Sequence, residues 1–203
     1  MSKNETIKIK YSKIKNFEQI CSYFSQDYTA KETSLEVRIS RQTINYYYQI
    51  LREKTNEEFI SFDDVILEKC LESETLYIRH INIYKTNIFY FQCENEILIL
   101  DEAMLLKSNL KTFIESSLKE SITKHKRANC ARIMVSKDKK TFFLSVLLKN
   151  EDYVFEEYLL TRLKKFRGIN KEKLFSYLKE SQIRYNSSPS IVYQKLLSNL
   201  QNN

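Results

Sequence analysis

The chain is poor in the residues that interrupt regular backbone structure, with one glycine and one proline in 203 residues. A phosphate-binding P-loop and a dinucleotide-binding fingerprint each need several glycines at fixed spacing, so both kinds of nucleotide site are excluded. Only two histidines are present, and no two of the four cysteines form a Cys-x-x-Cys pair; the cysteines are Cys21, Cys70, Cys93 and Cys130. We therefore expect no zinc site and predict reduced, mostly buried thiols.

Long apolar segments are also missing. No apolar run approaches the length that spans a membrane, and the start MSKNETIKIK lacks the apolar core of a signal peptide. These features predict a cytoplasmic protein without a membrane partner. Hydrophobic residues at 42% and charged residues at 29% are typical of a globular domain rather than a disordered chain.

The formal net charge of +7 is distributed unevenly along the chain. Residues 1–54 carry ten Lys and Arg against six Asp and Glu, residues 55–105 three against eleven, and residues 106–203 twenty against nine. Two basic ends thus flank an acidic middle. Basic segments suit a nucleic-acid partner because neutralised phosphates release counterions, although surplus lysine also serves solubility.

The segment Asp27–Lys54 predicts the last two helices of a helix-turn-helix, joined by a short turn around Arg38. Thr29 and Glu32 have the spacing of a capping box at the start of the first of these helices. Ser40 is placed to cap the second. A preceding helix is predicted by apolar residues at helical spacing, namely Phe17, Ile20, Cys21 and Phe24.

The exposed start of the second helix is polar and basic. Such side chains suit phosphate oxygens and base edges in the major groove of double-stranded DNA. The candidate DNA-binding residues are Arg38, Ser40, Arg41, Gln42, Asn45 and Tyr46. The alternative interpretation is an ordinary helical hairpin with a solvated polar face.

The remainder predicts an α+β arrangement. The acidic segment Thr55–Glu72 is expected to be a connector with a short helix from Asp63 to Leu71. Alternating apolar and polar residues then predict an antiparallel β-meander over Leu76–Tyr84, Asn87–Cys93 and Glu96–Leu100, with its connections at Lys85-Thr86 and Glu94-Asn95. A helix over Leu105–Ile122, strands over Ala131–Val135 and Thr141–Leu147, and helices over Tyr153–Arg167, Lys171–Tyr185 and from Pro189 onwards complete the prediction.

Three strands, a helix, further strands and closing helices follow one another in the order of an RNase H-like domain. The sequence therefore predicts two domains. Residues 1–54 form a three-helix helix-turn-helix domain, and residues 55–203 form an RNase H-like domain whose closing helices begin at 153.

Three stretches resemble a known family. They are FSQDYTAKETSLEVRISRQTINYYYQILRE at 24–53, YKTNIFYFQCENEILIL at 84–100 and LLTRLKKFRGINKEKLFSYLKESQIRYN at 159–186. They are similar to bacterial insertion-sequence transposases, which join an N-terminal helix-turn-helix to a short RNase H-like catalytic domain with DDE acids. The resemblance implies double-stranded DNA as partner and a homo-oligomer as the working form.

In that family, carboxylates hold two divalent ions, commonly Mg²⁺, for in-line attack on a phosphodiester. The matching positions here are Glu74, with Ser73 beside it, then Asp138 and Asn150, while Tyr153 stands where the family has a glutamate. Glu74 and Asp138 are the implied metal ligands if the protein is active. If it is not, no cofactor is expected.

Three functions follow from these observations. The first is a DNA-binding protein resembling a transposase, catalytically impaired or domesticated. The second is an active metal-dependent transposase, and the third is a protein-interaction module that does not bind DNA.

Some residues near the closing helices have two interpretations. Acidic residues at the start of the first closing helix suit its dipole without any metal; they are Glu151, Asp152, Glu156 and Glu157. Basic residues at its end either face DNA, as the resemblance implies, or form a solvated helix end; they are Arg162, Lys164, Lys165 and Arg167. His80 is expected to be a structural histidine within a strand.

Overall fold

The computed structural model describes residues 16–72, 76–100, 130–136, 141–148, 153–166 and 168–202, which have an α+β fold. The helices are α1 (Phe17–Ser25), α2 (Ala30–Val37), α3 (Arg41–Glu72), α4 (Val154–Lys164), α5 (Lys171–Asn186) and α6 (Pro189–Asn202). The strands are β1 (Leu76–Ile83), β2 (Thr86–Cys93), β3 (Glu96–Ile99), β4 (Cys130–Ser136) and β5 (Thr141–Leu148). The helix predicted over Leu105–Ile122 lies outside the described residues.

The chain divides into two compact units, which are Met1–Ile60 with Glu172–Asn203 and Ser61–Lys171. The first unit is helical, and its core begins with α1 as predicted. The predicted apolar stripe is buried, since Phe17, Ile20, Cys21 and Phe24 are each at most 9% exposed. The last helix, α6, begins at Pro189 and packs against α1, burying Val192 and Leu196.

A buried ionic cluster joins three helices of the first unit. Glu180 of α5 accepts a hydrogen bond from Arg52 Nε of α3 at 2.7 Å through Oε2, and its Oε1 accepts from Arg184 Nη2 at 2.8 Å. Arg184 also donates to the carbonyl oxygens of Phe24 and Ser25, at 2.6 and 2.8 Å. These are carbonyls at the C-terminal end of α1, where a cation complements the helix dipole.

The cluster explains why the two units differ from the predicted domains. The sequence placed α5 and α6 with residues 55–203, whereas the contacts group residues from Glu172 onwards with the N-terminal helices. Arg52 and Glu180 are 128 residues apart in the chain, so no local sequence pattern predicts their pairing.

The connector predicted over Thr55–Glu72 is wrong, because α3 continues without interruption from Arg41 to Glu72. The segment contains neither glycine nor proline, so nothing in its backbone ends the helix. Thr55, a weak helix former, is accommodated because its hydroxyl donates to the Leu51 carbonyl at 2.6 Å.

The second unit contains a five-stranded sheet in the order β3-β2-β1-β4-β5, with every neighbouring pair antiparallel. The β-meander predicted for the first three strands is confirmed, and so are the two later strands. β4 lies beside β1, with Arg79 opposite Cys130. The sheet is thus antiparallel throughout, and the specific RNase H-like arrangement predicted from the element order is not confirmed.

Residues other than glycine take left-handed conformations at several turns. The β1–β2 connection is formed by Tyr84 and Lys85, with φ angles of 50° and 63°. It thus lies one residue before the predicted Lys85-Thr86 position. The predicted turn at Glu94 is confirmed, with φ of 53°. Gly168 is left-handed with φ of 73°, a conformation that glycine adopts without strain, and it lies beyond the end of α4 at Lys164.

Within the described residues, no helix combines the length and the apolarity that crossing a bilayer would require. Three cysteines, Cys21, Cys93 and Cys130, are free and buried as predicted. His80 also agrees with its structural interpretation, because Nε2 lies 3.0 Å from Asn87 Oδ1 on the neighbouring strand.

Replacing Glu180 by alanine should destabilise the helical unit strongly. The change leaves Arg52 and Arg184 buried without their shared carboxylate, and breaking a buried ion pair costs about 3–5 kcal/mol. Chemical denaturation followed by the helical circular dichroism signal measures the loss. Glu53→Ala is the matched control, since Glu53 is an exposed carboxylate and should change stability by about 0.5 kcal/mol or less. If both variants lose the same free energy of unfolding, the buried cluster contributes no more to stability than an exposed carboxylate.

The buried thiols should resist alkylation in the folded protein. Burial raises the pKa of Cys21 to about 12, with a contribution from Glu18, and burial raises the pKa of Cys130 to about 11. At about pH 8 both thiols are therefore protonated and unreactive, because the thiolate is the nucleophile. Mass spectrometry of each cysteine peptide after iodoacetamide treatment should show modification only with denaturant present. Fast native modification of Cys21 would contradict its burial.

Candidate nucleic-acid interface

The first helix of the predicted motif begins with the expected capping box. Thr29 Oγ1 accepts a hydrogen bond from the Glu32 backbone N–H at 3.3 Å, and Glu32 Oε2 accepts from the Thr29 backbone N–H at 2.7 Å. Two otherwise unpaired backbone donors are satisfied reciprocally. α2 therefore starts at Ala30 and runs for 8 residues to Val37.

The turn after α2 is three residues long, from Arg38 to Ser40. Arg38 adopts the left-handed conformation, with φ of 55° and ψ of 40°. Ser40 Oγ accepts from the backbone N–H of Thr43 at 3.1 Å, which caps α3 as predicted. α2 and α3 are therefore joined by a turn of only three residues.

The inner face of α3 anchors it to both preceding helices. Ile44, Tyr48 and Leu51 are buried at successive helical turns. The Tyr48 hydroxyl lies 2.6 Å from Thr33 Oγ1 of α2, and its ring meets Phe24 of α1 edge-on with centroids 5.0 Å apart. Burial raises the pKa of Tyr48 above its ordinary value, so the phenol stays protonated and able to donate.

The opposite face of α3 carries the predicted DNA-binding side chains. Arg41, Gln42, Asn45 and Tyr46 are all exposed, and their spacing places them on one face of the helix. Tyr46 is 57% exposed, which is high for so large an aromatic ring. Arg38 is exposed in the turn immediately before them. The structure therefore brings the predicted residues together at one helix start.

Ser40 differs from its neighbours because its hydroxyl is used by the cap rather than left for a ligand. Gln49 extends the same exposed face and was missed by the sequence analysis. Its side chain donates to Glu53 at 2.9 Å and accepts from Lys173 at 3.2 Å. The face thus changes from basic and polar to mixed charge near Gln49, which limits the candidate interface to the first two turns of α3.

The basic end of α4 agrees only in part with its prediction. Arg162 is 2% exposed and lies 5.1 Å from the Phe166 ring centroid, so it does not face DNA. Lys164 and Lys165 are exposed. Arg167 lies outside the described residues.

The predicted catalytic residues Glu74, Asp138 and Asn150 also lie outside the described residues, so their separation is not defined. In the part of the chain that is described, no group of three potential metal-ligating side chains occurs. Glu156 lies in the first turn of α4, as predicted, and it also accepts from the Tyr90 hydroxyl at 2.9 Å and lies 3.7 Å from Arg79 Nη2.

Comparisons with protein-family models, with curated proteins and with solved structures gave no match.

Replacing Arg38 by glycine should stabilise the helical unit relative to Arg38→Ala. The left-handed conformation costs a residue with a side chain about 1–2 kcal/mol, and glycine adopts it freely. Both variants remove the same charge, so their difference isolates the backbone effect. Denaturant unfolding should give Arg38→Gly the higher free energy of unfolding by about 1 kcal/mol. Equal stability of the two variants would contradict the left-handed turn.

Proposed function

We propose that this protein binds double-stranded DNA by placing the start of α3 in the major groove. The observation that carries the proposal is the exposed face of Arg41, Gln42, Asn45 and Tyr46, immediately after a three-residue turn. In helix-turn-helix proteins, the N-terminal residues of the second helix contact base edges while the first helix crosses the backbone.

The side chains on this face divide into two chemical groups. Arg38 and Arg41 are cations that suit phosphate oxygens, which supply most of the affinity and set the register. Gln42 and Asn45 carry amides, which can form paired hydrogen bonds with adenine in the major groove. Tyr46 adds an exposed ring beside them, suited to a sugar or a thymine methyl group.

The identity of residue 38 supports the same proposal. A left-handed turn position favours glycine, yet the chain has arginine there with φ of 55°. The conformational cost is offset if the guanidinium has a phosphate to bind. Arg38 and Arg41 then present two cations on either side of the Ser40 cap, at the point where α3 would enter the groove.

The resemblance to insertion-sequence transposases supports DNA as the partner, and the proposal stops at binding. Strand transfer by Glu74, Asp138 and Asn150 remains a prediction from that resemblance. A domesticated or impaired transposase would keep its DNA-reading helix after losing catalysis, which is compatible with an intact capped turn. A protein-interaction role without DNA is the alternative that the binding experiment addresses.

Arg41→Ala should weaken DNA binding and make it less sensitive to salt. Each phosphate contact adds about 0.9 to the slope of log affinity against log salt concentration, so losing one contact should lower the slope by about 1. Fluorescence anisotropy of a labelled duplex between about 50 and about 200 mM salt measures both quantities. Asn45→Ala should leave the slope unchanged and cost about 1–3 kcal/mol on a duplex selected for tight binding.

Lys85→Asn is the matched control for Arg41→Ala. It removes one exposed positive charge from the β1–β2 turn, and asparagine tolerates the left-handed conformation found there. Affinity and salt slope should equal those of the unmodified protein. A flat salt response in the unmodified protein, or unchanged binding in Arg41→Ala, would contradict the proposal.

A further inference from the structure

The second unit buries an arginine whose hydrogen bonding is incomplete. Arg79 of β1 is 2% exposed, and its Nη1 donates to Gln92 Oε1 of β2 at 2.9 Å. Its Nε and Nη2 have no hydrogen-bond acceptor. Among the described residues, these are the only buried side-chain nitrogen or oxygen atoms without a partner.

The nearest opposite charge does not satisfy these donors. Glu156 Oε1 lies 3.7 Å from Arg79 Nη2, which is close enough for attraction but too long for a hydrogen bond. The same oxygen accepts from the Tyr90 hydroxyl at 2.9 Å. Burial, and next the charge of Glu156, raises the pKa of Tyr90 above its ordinary value, so this phenol remains a donor and keeps Glu156 engaged.

Buried guanidinium donors without acceptors destabilise the folded protein. Arginine cannot release its proton to escape burial, because the guanidinium group stays protonated in proteins. A buried donor without a partner is unfavourable, and more so when the group is charged. Two such donors on one guanidinium therefore favour any acceptor that can reach both.

The geometry of the guanidinium edge formed by Nε and Nη2 indicates which acceptor fits it. Nε and Nη2 lie on the same side of the planar guanidinium and present two parallel N–H bonds, which match the two oxygens of a carboxylate. We propose that Arg79 is the anchor of a binding site for a small carboxylate ligand. This site belongs to the sheet unit and does not depend on the DNA interface.

The charge at the site favours a monoanion. Arg79 and Glu156 together carry no net charge, so a carboxylate adds one negative charge beside Glu156, whereas a phosphate dianion adds two. α4 begins at Val154, so the start of this helix, where the dipole is positive, lies close to Arg79 through Tyr153 and Glu156. Glu156 belongs to that first turn and balances only part of the positive potential.

Tyr153 completes the proposed site. Its ring centroid lies 5.9 Å from the Arg79 guanidinium carbon, and the residue is 36% exposed. It is therefore both close to the guanidinium and partly exposed to solvent, and its ring offers an apolar surface to the carbon part of a ligand. The 2% exposure of Arg79 restricts the ligand to a small molecule with a short carbon chain.

Acetate is the probe for this site, with chloride at equal ionic strength as its reference. In the unmodified full-length protein labelled with ¹⁵N, the Arg79 Nε–H resonance should shift saturably with acetate and not with chloride. The thermal unfolding midpoint should rise with acetate along the same saturation curve, because a ligand that binds only the folded state stabilises it. Inorganic phosphate should shift the resonance less than acetate at equal concentration.

Two conservative variants separate this site from a general salt effect. Arg79→Lys loses the two-pronged edge and should lose the acetate-dependent rise in unfolding midpoint. Arg162→Lys changes an equally buried arginine of the same unit and should retain that rise. If Arg79→Lys does not fold, the Nε–H titration of the unmodified protein decides alone. Equal shifts with acetate and chloride, or a larger shift with phosphate, would overturn the carboxylate site.

Discussion

One buried carboxylate, that of Glu180, links the helices of the N-terminal unit. Its two oxygens accept hydrogen bonds from Arg52 and Arg184, and Arg184 continues to the last carbonyls of α1. Asp27, 3.5 Å from Arg184 Nε, brings the cluster to two positive and two negative charges. Because a buried charge without its partner is strongly unfavourable, α1, α3 and α5 are stable together and unstable apart.

This constraint bears on the proposed recognition of DNA as well as on stability. Ile44, Tyr48 and Leu51 fix one face of α3, and Arg52 adds an ionic anchor directly after them. Rotation of α3 about its axis is thereby restricted, so the opposite face with Arg41 and Asn45 keeps its orientation relative to α2. A binding face needs such support because small errors in side-chain position remove paired hydrogen bonds. In the proposed function, the ionic cluster would therefore support recognition without contacting DNA itself.

Features that depend on neighbouring residues were predictable from the sequence, and features that depend on distant ones were not. The Thr29–Glu32 box, the Ser40 cap and the alternating strands follow from spacings of a few residues, and all are confirmed. Glu180 and Arg52 meet across 128 residues, and element order does not encode whether β4 runs parallel to β1. The scarcity of glycine and proline excludes glycine-rich nucleotide sites. It also favours an uninterrupted helix from Arg41 to Glu72, because neither residue occurs there to end it.

The buried arginine clusters of the two units differ in whether the neighbouring carboxylate hydrogen-bonds to the guanidinium group. In the helical unit, Arg52 and Arg184 share a carboxylate whose oxygens both accept hydrogen bonds. In the sheet unit, Glu156 lies 3.7 Å from Arg79 Nη2 yet hydrogen-bonds to Tyr90, and Arg79 Nε and Nη2 have no acceptor. The proposed carboxylate would supply the two acceptors that Glu156 does not provide. In a structural ion pair, groups of the protein itself satisfy the buried donors, whereas a binding site keeps donors available for its ligand.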